Sequence, residues 1–169
     1  RAEDIVFGDI EHALSKMCRF GAHCDGHYSV AEHSVNVMKL VIALGGNLDE
    51  ARWGLLHDAT ETYVGDLIKP IKDHPSMSFF KQTEKNLMTV IADRFGLFSA
   101  EEPKVVKRAD YMMLRIESDL LVPNKPATWN VPEVPNELRE MIHIQCHERG
   151  PAKLAFRAHF KTLFPASAA

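Results

Sequence analysis

Cysteine is scarce in this chain: three residues in 169, at positions 18, 24 and 146, with no C-x-x-C spacing. An odd count without paired spacing argues against a disulfide framework and favours a reducing, cytoplasmic setting. Basic charge is not in excess. Lys and Arg total 20 against 23 Asp and Glu, for a net charge of -3 and a pI near 6.3. A dedicated nucleic-acid binder would be expected to carry a basic stripe instead. No apolar run approaches the roughly 20 residues needed to cross a bilayer, so no membrane partner is expected. No signal peptide is expected either. Period-two alternation is lacking, as are internal repeats and low-complexity tracts, which leaves the helix as the organising element.

What is present is apolar spacing of helical period along most of the chain. The expected architecture is all-α, a single-domain helical bundle over residues 1–169, with a core at about 9–121 and C-terminal helices at 136–164. The first helix is expected over Asp9 to Met17. Ser29-Val-Ala-Glu32 reads as a capping box opening a helix to about Leu44, stopped by Gly45-Gly46-Asn47. Another helix should run from Leu48 through His57-Asp58 to about Gly65. Asp66 to Pro75 is expected to be a loop with at most one turn. Long helices follow, Ser76 to Phe95 and Pro103 to Leu121. Between 122 and 135, four prolines in fourteen residues exclude a helix. The last helices are expected at Asn136 to Cys146 and Pro151 to Phe164.

Four residues break the apolar pattern in a way that demands a partner. His33 heads a stripe of Val37, Leu40, Val41 and Leu44. Taken alone, such a histidine is more often a hydrogen-bonded core residue. Asp110 also faces inward, between Val106 and Met113, and a buried carboxylate needs a cationic partner. Lys107 and Arg108 lie on other faces of its helix. His57 and Asp58 stand side by side in Leu56-His-Asp-Ala-Thr-Glu61. Two imidazoles and two carboxylates are most economically explained by one shared divalent ion, and the donor set suits Mn, Fe, Co or Zn better than Mg or Ca. Glu61 follows His57 by four residues and Asp58 by three, placing a third carboxylate on the same side. It is suited to act on water or a leaving group. His143 and His147, at i, i+4 spacing with Cys146 between them, lie on a polar segment, and a second metal site there is disfavoured.

With these residues the chain resembles the HD-domain phosphohydrolase superfamily, whose signature is H…HD…D. Arg19-Phe20, Tyr28-Ser-Val-Ala-Glu-His33-Ser, Leu56-His-Asp-Ala-Thr-Glu61-Thr, Gly65-Asp66-Leu with Pro70-Ile-Lys72, and Val106-Lys-Arg-Ala-Asp110 resemble, in order, motifs of YfbR-like 5'-deoxynucleotidases. They also resemble the small phage HD enzymes that hydrolyse deoxyadenosine triphosphate. The resemblance implies His33, His57, Asp58 and Asp110 as metal ligands and Glu61 as the catalytic acid/base. It implies Arg19 and Lys72 at the phosphate, Phe20 and Pro70 beside the nucleoside, and Asp66 near the sugar and the reacting centre. Phe20 stands where relatives often have Trp, keeping an apolar wall but dropping the indole donor.

The implied activity is metal-dependent hydrolysis of the 5' phosphoester of a deoxyribonucleotide, first a 5'-nucleotidase on monophosphates. The alternative is a triphosphohydrolase, whose polyphosphate substrate would bring an additional Mg ion. The implied partner is a small nucleotide, and the implied assembly a homo-oligomer, dimer or higher. The His-Asp-x-x-Glu-Thr run lacks the Glu-Asp pair of alarmone hydrolases. A non-catalytic nucleotide or metal sensor on the same scaffold is the reading from a different class.

Overall fold

In a computed structural model describing residues 1–122 and 133–165, the chain is all-α. Its helices are α1 (Phe7–Leu14), α2 (Val30–Ala43), α3 (Leu48–Leu56), α4 (Glu61–Val64), α5 (Lys69–Lys72), α6 (Ser78–Phe95), α7 (Lys104–Leu121), α8 (Asn136–Glu140) and α9 (Arg149–Leu163). Short 3-10 turns lie at Ala2–Asp4, Arg19–Ala22 and Pro75–Met77. Among the described residues no strand forms beyond an isolated antiparallel bridge between Cys18 and Ser29. No described helix is long and apolar enough to cross a membrane. Most of the proline-rich connection expected at 122–135, Trp129 included, lies outside the described residues.

Helix α2 is the centre of the domain, packing against α3, α7 and α9. It is buried almost all round, with Val30, Ala31, Val35, Val37, Met38, Leu40 and Val41 in the core. Burying its apolar residues offsets the entropy of ordering the chain, and the polar residues buried with them include Glu32, His33, Ser34 and Asn36. Gly54 lets α3 approach closely: a Cβ there would sit 3.1 Å from Val41 Cγ2 and 3.4 Å from Met38 Cα. At the far end, Phe7, Phe95, Phe156, Phe160 and Phe164 form an aromatic cluster, with Phe7 and Phe160 ring centroids 3.8 Å apart. Arg157 of α9 holds Glu11 of α1 through one guanidinium edge, Nη2 donating to Oε1 and Nε to Oε2 at 2.7 Å.

Three expected elements come out differently. The capping box at Ser29 is half formed, because Ser29 accepts from the Glu32 amide but the Glu32 carboxylate turns elsewhere. It takes the amides of Gln145 at 2.7 Å and His147 at 2.8 Å. That capture explains the second difference: the helix expected to reach Cys146 ends at Glu140, and the chain beyond it is non-helical up to α9. His143 and His147 therefore do not stand one helical turn apart. The third is the helix expected to continue to Gly65, which stops at Leu56.

The three cysteines carry free thiols, and Cys18 and Cys24 approach to 3.7 Å between sulfurs. Trp53, buried, donates its indole N–H to Ser99 O at 2.9 Å.

Candidate metal centre

The break after Leu56 is where the site is made. His57 keeps a right-handed backbone, φ -58° and ψ -36°, but its Nδ1 donates to Gly54 O at 2.9 Å. In a continuing α-helix that carbonyl would be the acceptor for the Asp58 amide. The chain instead tightens into i→i+3 bonds, Ala59 N to Leu56 O at 2.9 Å and Glu61 N to Asp58 O at 3.0 Å. The bond also fixes the ring. With Nδ1 carrying the proton, Nε2 is left as a lone pair directed away from α3.

His33 is fixed in the same sense from the opposite side. Fully buried on α2, it gives Nδ1 to Glu117 Oε1 at 2.6 Å. The two Nε2 atoms then face each other at 3.2 Å. Asp58 Oδ2 stands 3.5 Å from His33 Nε2 and 3.2 Å from His57 Nε2. Asp110 Oδ1, from α7, is 3.3 Å from the first and 4.0 Å from the second. All four residues nominated from sequence thus meet in one cluster. His33, His57 and Asp58 offer ligand atoms within 4.8 Å of one another, a group able to hold a metal ion.

The electrostatics require a cation there. Two nitrogen lone pairs and two carboxylates converge on one point, and mutual repulsion must be relieved by protons or by a metal. Without a metal, protons serve. Burial and Arg19 depress the His33 imidazole, but Glu117 and Asp110 outweigh them and lift it to about 9. Burial likewise opposes charge on His57, yet Asp58 raises it. The Asp58 carboxyl, raised by burial, is drawn far below the usual carboxylate range by His57, His33 and Arg19. Asp110 is lowered for the same reason, against burial, by His33 and His57. The donor set, two imidazole nitrogens locked by second partners plus carboxylate oxygens, could hold a metal ion.

Around the cluster lie Glu61, Asp66, Arg19 and Lys72, whose charges act on Asp58. Glu61, the first residue of α4, is 6% exposed, and its Oε2 has no hydrogen-bond partner. Burial, then Asp58 and Asp66, push its carboxyl well above the ordinary value. Asp66 is half-buried and raised mainly by burial, with Asp58 adding to it. Arg19 is not a surface residue: its guanidinium meets Glu117 Oε2 through Nε and Nη2, both at 3.2 Å, and Asp58 Oδ2 through Nη1 at 3.5 Å. Phe20 beside it is held at φ 58°, an uncommon conformation for a residue with a Cβ, and its ring centroid lies 5.5 Å from Arg19 Cζ. The loop bearing both is closed at its neck by Arg19 N to Tyr28 O at 2.9 Å and Val30 N to Met17 O at 3.0 Å. Lys72 is committed to Glu84 of α6 at 2.6 Å. Pro70 sits exposed in the first turn of α5.

Glu117 was not found from sequence. Fully buried, it joins His33, Tyr28 and Arg19. It lies seven residues after Asp110, next to Ile116 on the inward face of α7. The signal that singled out Asp110, a carboxylate on an apolar stripe, was available for Glu117 too.

Among known proteins, no family model matches the chain. It is 36% identical over 131 residues to the uncharacterized protein YfdR of Escherichia coli (strain K12), covering 78% of this chain and 69% of that protein. It is 34% identical over 124 residues to the uncharacterized protein RCAP_rcc00048 of Rhodobacter capsulatus, covering 69% of this chain and 62% of that one.

Proposed function

The chain belongs to the family of Escherichia coli YfdR, and from the site it carries we propose a metal-dependent HD-type phosphohydrolase acting on a deoxyribonucleotide. The observation that carries this is the convergence of His33, His57, Asp58 and Asp110 beside a buried carboxyl, Glu61, that has an unpartnered oxygen. An unsatisfied buried carboxyl costs stability. Its retention next to a metal-competent cluster is the pattern of a group kept for chemistry.

His33, His57 and Asp58 would hold the ion, with Asp110 at its side. When bound, a divalent transition ion supplies Lewis acidity, making water more acidic and withdrawing charge from phosphoryl oxygens. As water adds to phosphorus and the bond to the 5' oxygen breaks, Glu61 would give a proton to the departing oxygen and take up the one that the water loses. Arg19, anchored by Glu117, faces the same centre and neutralises phosphate charge. Lys72, fixed by Glu84, adds positive potential that reaches Asp58 and Glu61. Phe20 offers an apolar wall to the nucleoside, and Asp66 an acceptor for the sugar.

The preferred substrate is a monophosphate. Lys69, Lys72 and Lys81 gather around α5, but Asp73 pairs with Lys69 at 2.9 Å and with Lys81 at 3.3 Å, while Glu84 takes Lys72. Three ammoniums against two carboxylates leave little uncompensated charge for a triphosphate tail. The test is turnover on mono-, di- and triphosphates of each deoxy- and ribonucleoside with added Co or Mn, products resolved chromatographically. Release of phosphate from deoxynucleoside monophosphates is expected. Release of triphosphate would move the reading to the triphosphohydrolase, and saturable binding without turnover would replace the enzyme with a sensor.

A further inference from the structure

One buried carboxylate touches both halves of the proposed site. Glu117 divides its two oxygens between separate tasks. Oε1 accepts from His33 Nδ1 at 2.6 Å and from Tyr28 Oη at 2.9 Å. Oε2 accepts from Arg19 Nε and Nη2, both at 3.2 Å. The Tyr28 hydroxyl is in turn met by Asn36 Nδ2 at 3.4 Å. Asp58 also stands 3.5 Å from both His33 and Arg19, but on the side where the ion would bind. Glu117 reaches the imidazole of α2 and the guanidinium of the Arg19–Ala22 turn from behind, and its carboxylate has no exposed surface.

We infer that Glu117 is a positioning residue that serves metal and phosphate at once, orienting His33 toward the ion and Arg19 toward the anion. The inference rests on the reading of the site as a metal-dependent phosphohydrolase. Its physical basis is the acceptor count. A carboxylate has acceptor sites on both oxygens and no donor, so it can satisfy the imidazole and the guanidinium together. An amide of the same shape has one acceptor oxygen, and confronts one of those two donors with an N–H. If the imidazole is the loser, its proton moves to Nε2 and the lone pair offered to the metal is lost. If the guanidinium is the loser, Arg19 is unmoored. The negative charge also disappears in either case, making His33 a weaker ligand. Partners of this kind are worth roughly 10- to 100-fold in metal affinity.

The test compares wild type, Glu117→Gln, His57→Ala and Tyr28→Phe as metal-free full chains, titrated calorimetrically with Mn or Co alone and with inorganic phosphate alone. Glu117→Gln is expected to weaken metal by about 10- to 100-fold and, where its N–H faces Arg19, to weaken phosphate as well. His57→Ala should lose the metal and keep phosphate binding. Tyr28→Phe leaves both links of Glu117 in place and should keep both affinities within a few-fold. Folded Glu117→Gln that holds both ligands within twofold of wild type overturns the inference while leaving the proposed function standing. Wild type that binds neither metal nor phosphate overturns both. Should Glu117→Gln fail to fold, Glu117→Asp takes its place in the comparison, because it keeps the charge but is too short to span both partners. Loss of one or both affinities supports the role, and retention of both refutes it.

Discussion

Replacing Glu61 by methionine should make the protein more heat-stable and inactive. The side chain is 6% exposed, and its Oε2 has no hydrogen-bond partner. Burial, Asp58 and Asp66 all raise its carboxyl above the ordinary value, and its Oε2 is left unsatisfied. An unsatisfied buried polar group costs about 1–3 kcal/mol, and methionine has similar length with nothing to satisfy. For a chain of this size, each kcal/mol moves the melting temperature by roughly 2–4 °C. Removing the penalty should therefore raise Tm by about 2–12 °C. The assay is differential scanning calorimetry of metal-free wild type and Glu61→Met at neutral pH, with nucleotide turnover measured on the same preparations. A fall in Tm would show that the carboxyl is satisfied after all. Retained turnover would remove Glu61 from the chemistry.

Gly54→Ala should act on stability and metal together. The new Cβ meets Val41 Cγ2 at 3.1 Å and the Met38 backbone at 3.4 Å, an overpacking worth about 1–3 kcal/mol. Because Gly54 O orients His57, the displacement should also weaken Mn binding; a denaturant melt with a metal titration checks both, and unchanged affinity would refute the link. Glu11→Gln tests the α1–α9 tie. Burial raises the Glu11 carboxyl, but its hydrogen bond and charge pairing with Arg157, aided by Lys153, hold it below its ordinary value of 4.5. A depressed folded-state pKa gives stability that is fully present above 4.5 and lost as pH falls through the folded value. The variant should therefore be less stable than wild type at neutral pH, by about 1.5 kcal/mol for a charge-assisted bond with a partly exposed arginine. The gap should close in acid, which urea melts across pH would show; a gap independent of pH would contradict it.

Much of the helical frame was legible because its punctuation is local. Ser29 accepts from the Glu32 amide at the head of α2, Gly96 takes the left-handed conformation that ends α6, and Pro103 precedes α7. What was not legible depends on contacts distant in sequence or on a side chain competing with the backbone. The shortened C-terminal helix follows from Glu32 taking amides more than a hundred residues away. The break after Leu56 coincides with His57 claiming the Gly54 carbonyl, which apolar periodicity does not reveal. His33, His57, Asp58 and Asp110 could be nominated as a group because each interrupts an apolar face. Arg19 was nominated through the resemblance alone, since its partner Glu117 lies 98 residues further along the chain.

The central claim is that one divalent transition ion sits among His33, His57, Asp58 and Asp110 and is required for turnover. Elemental analysis and Mn titration of wild type and Asp58→Ala test it most directly. One equivalent of metal per chain, lost together with nucleotide hydrolysis in the variant, is the expected result. Wild type that takes up no metal, or Asp58→Ala that keeps both ion and activity, would contradict it.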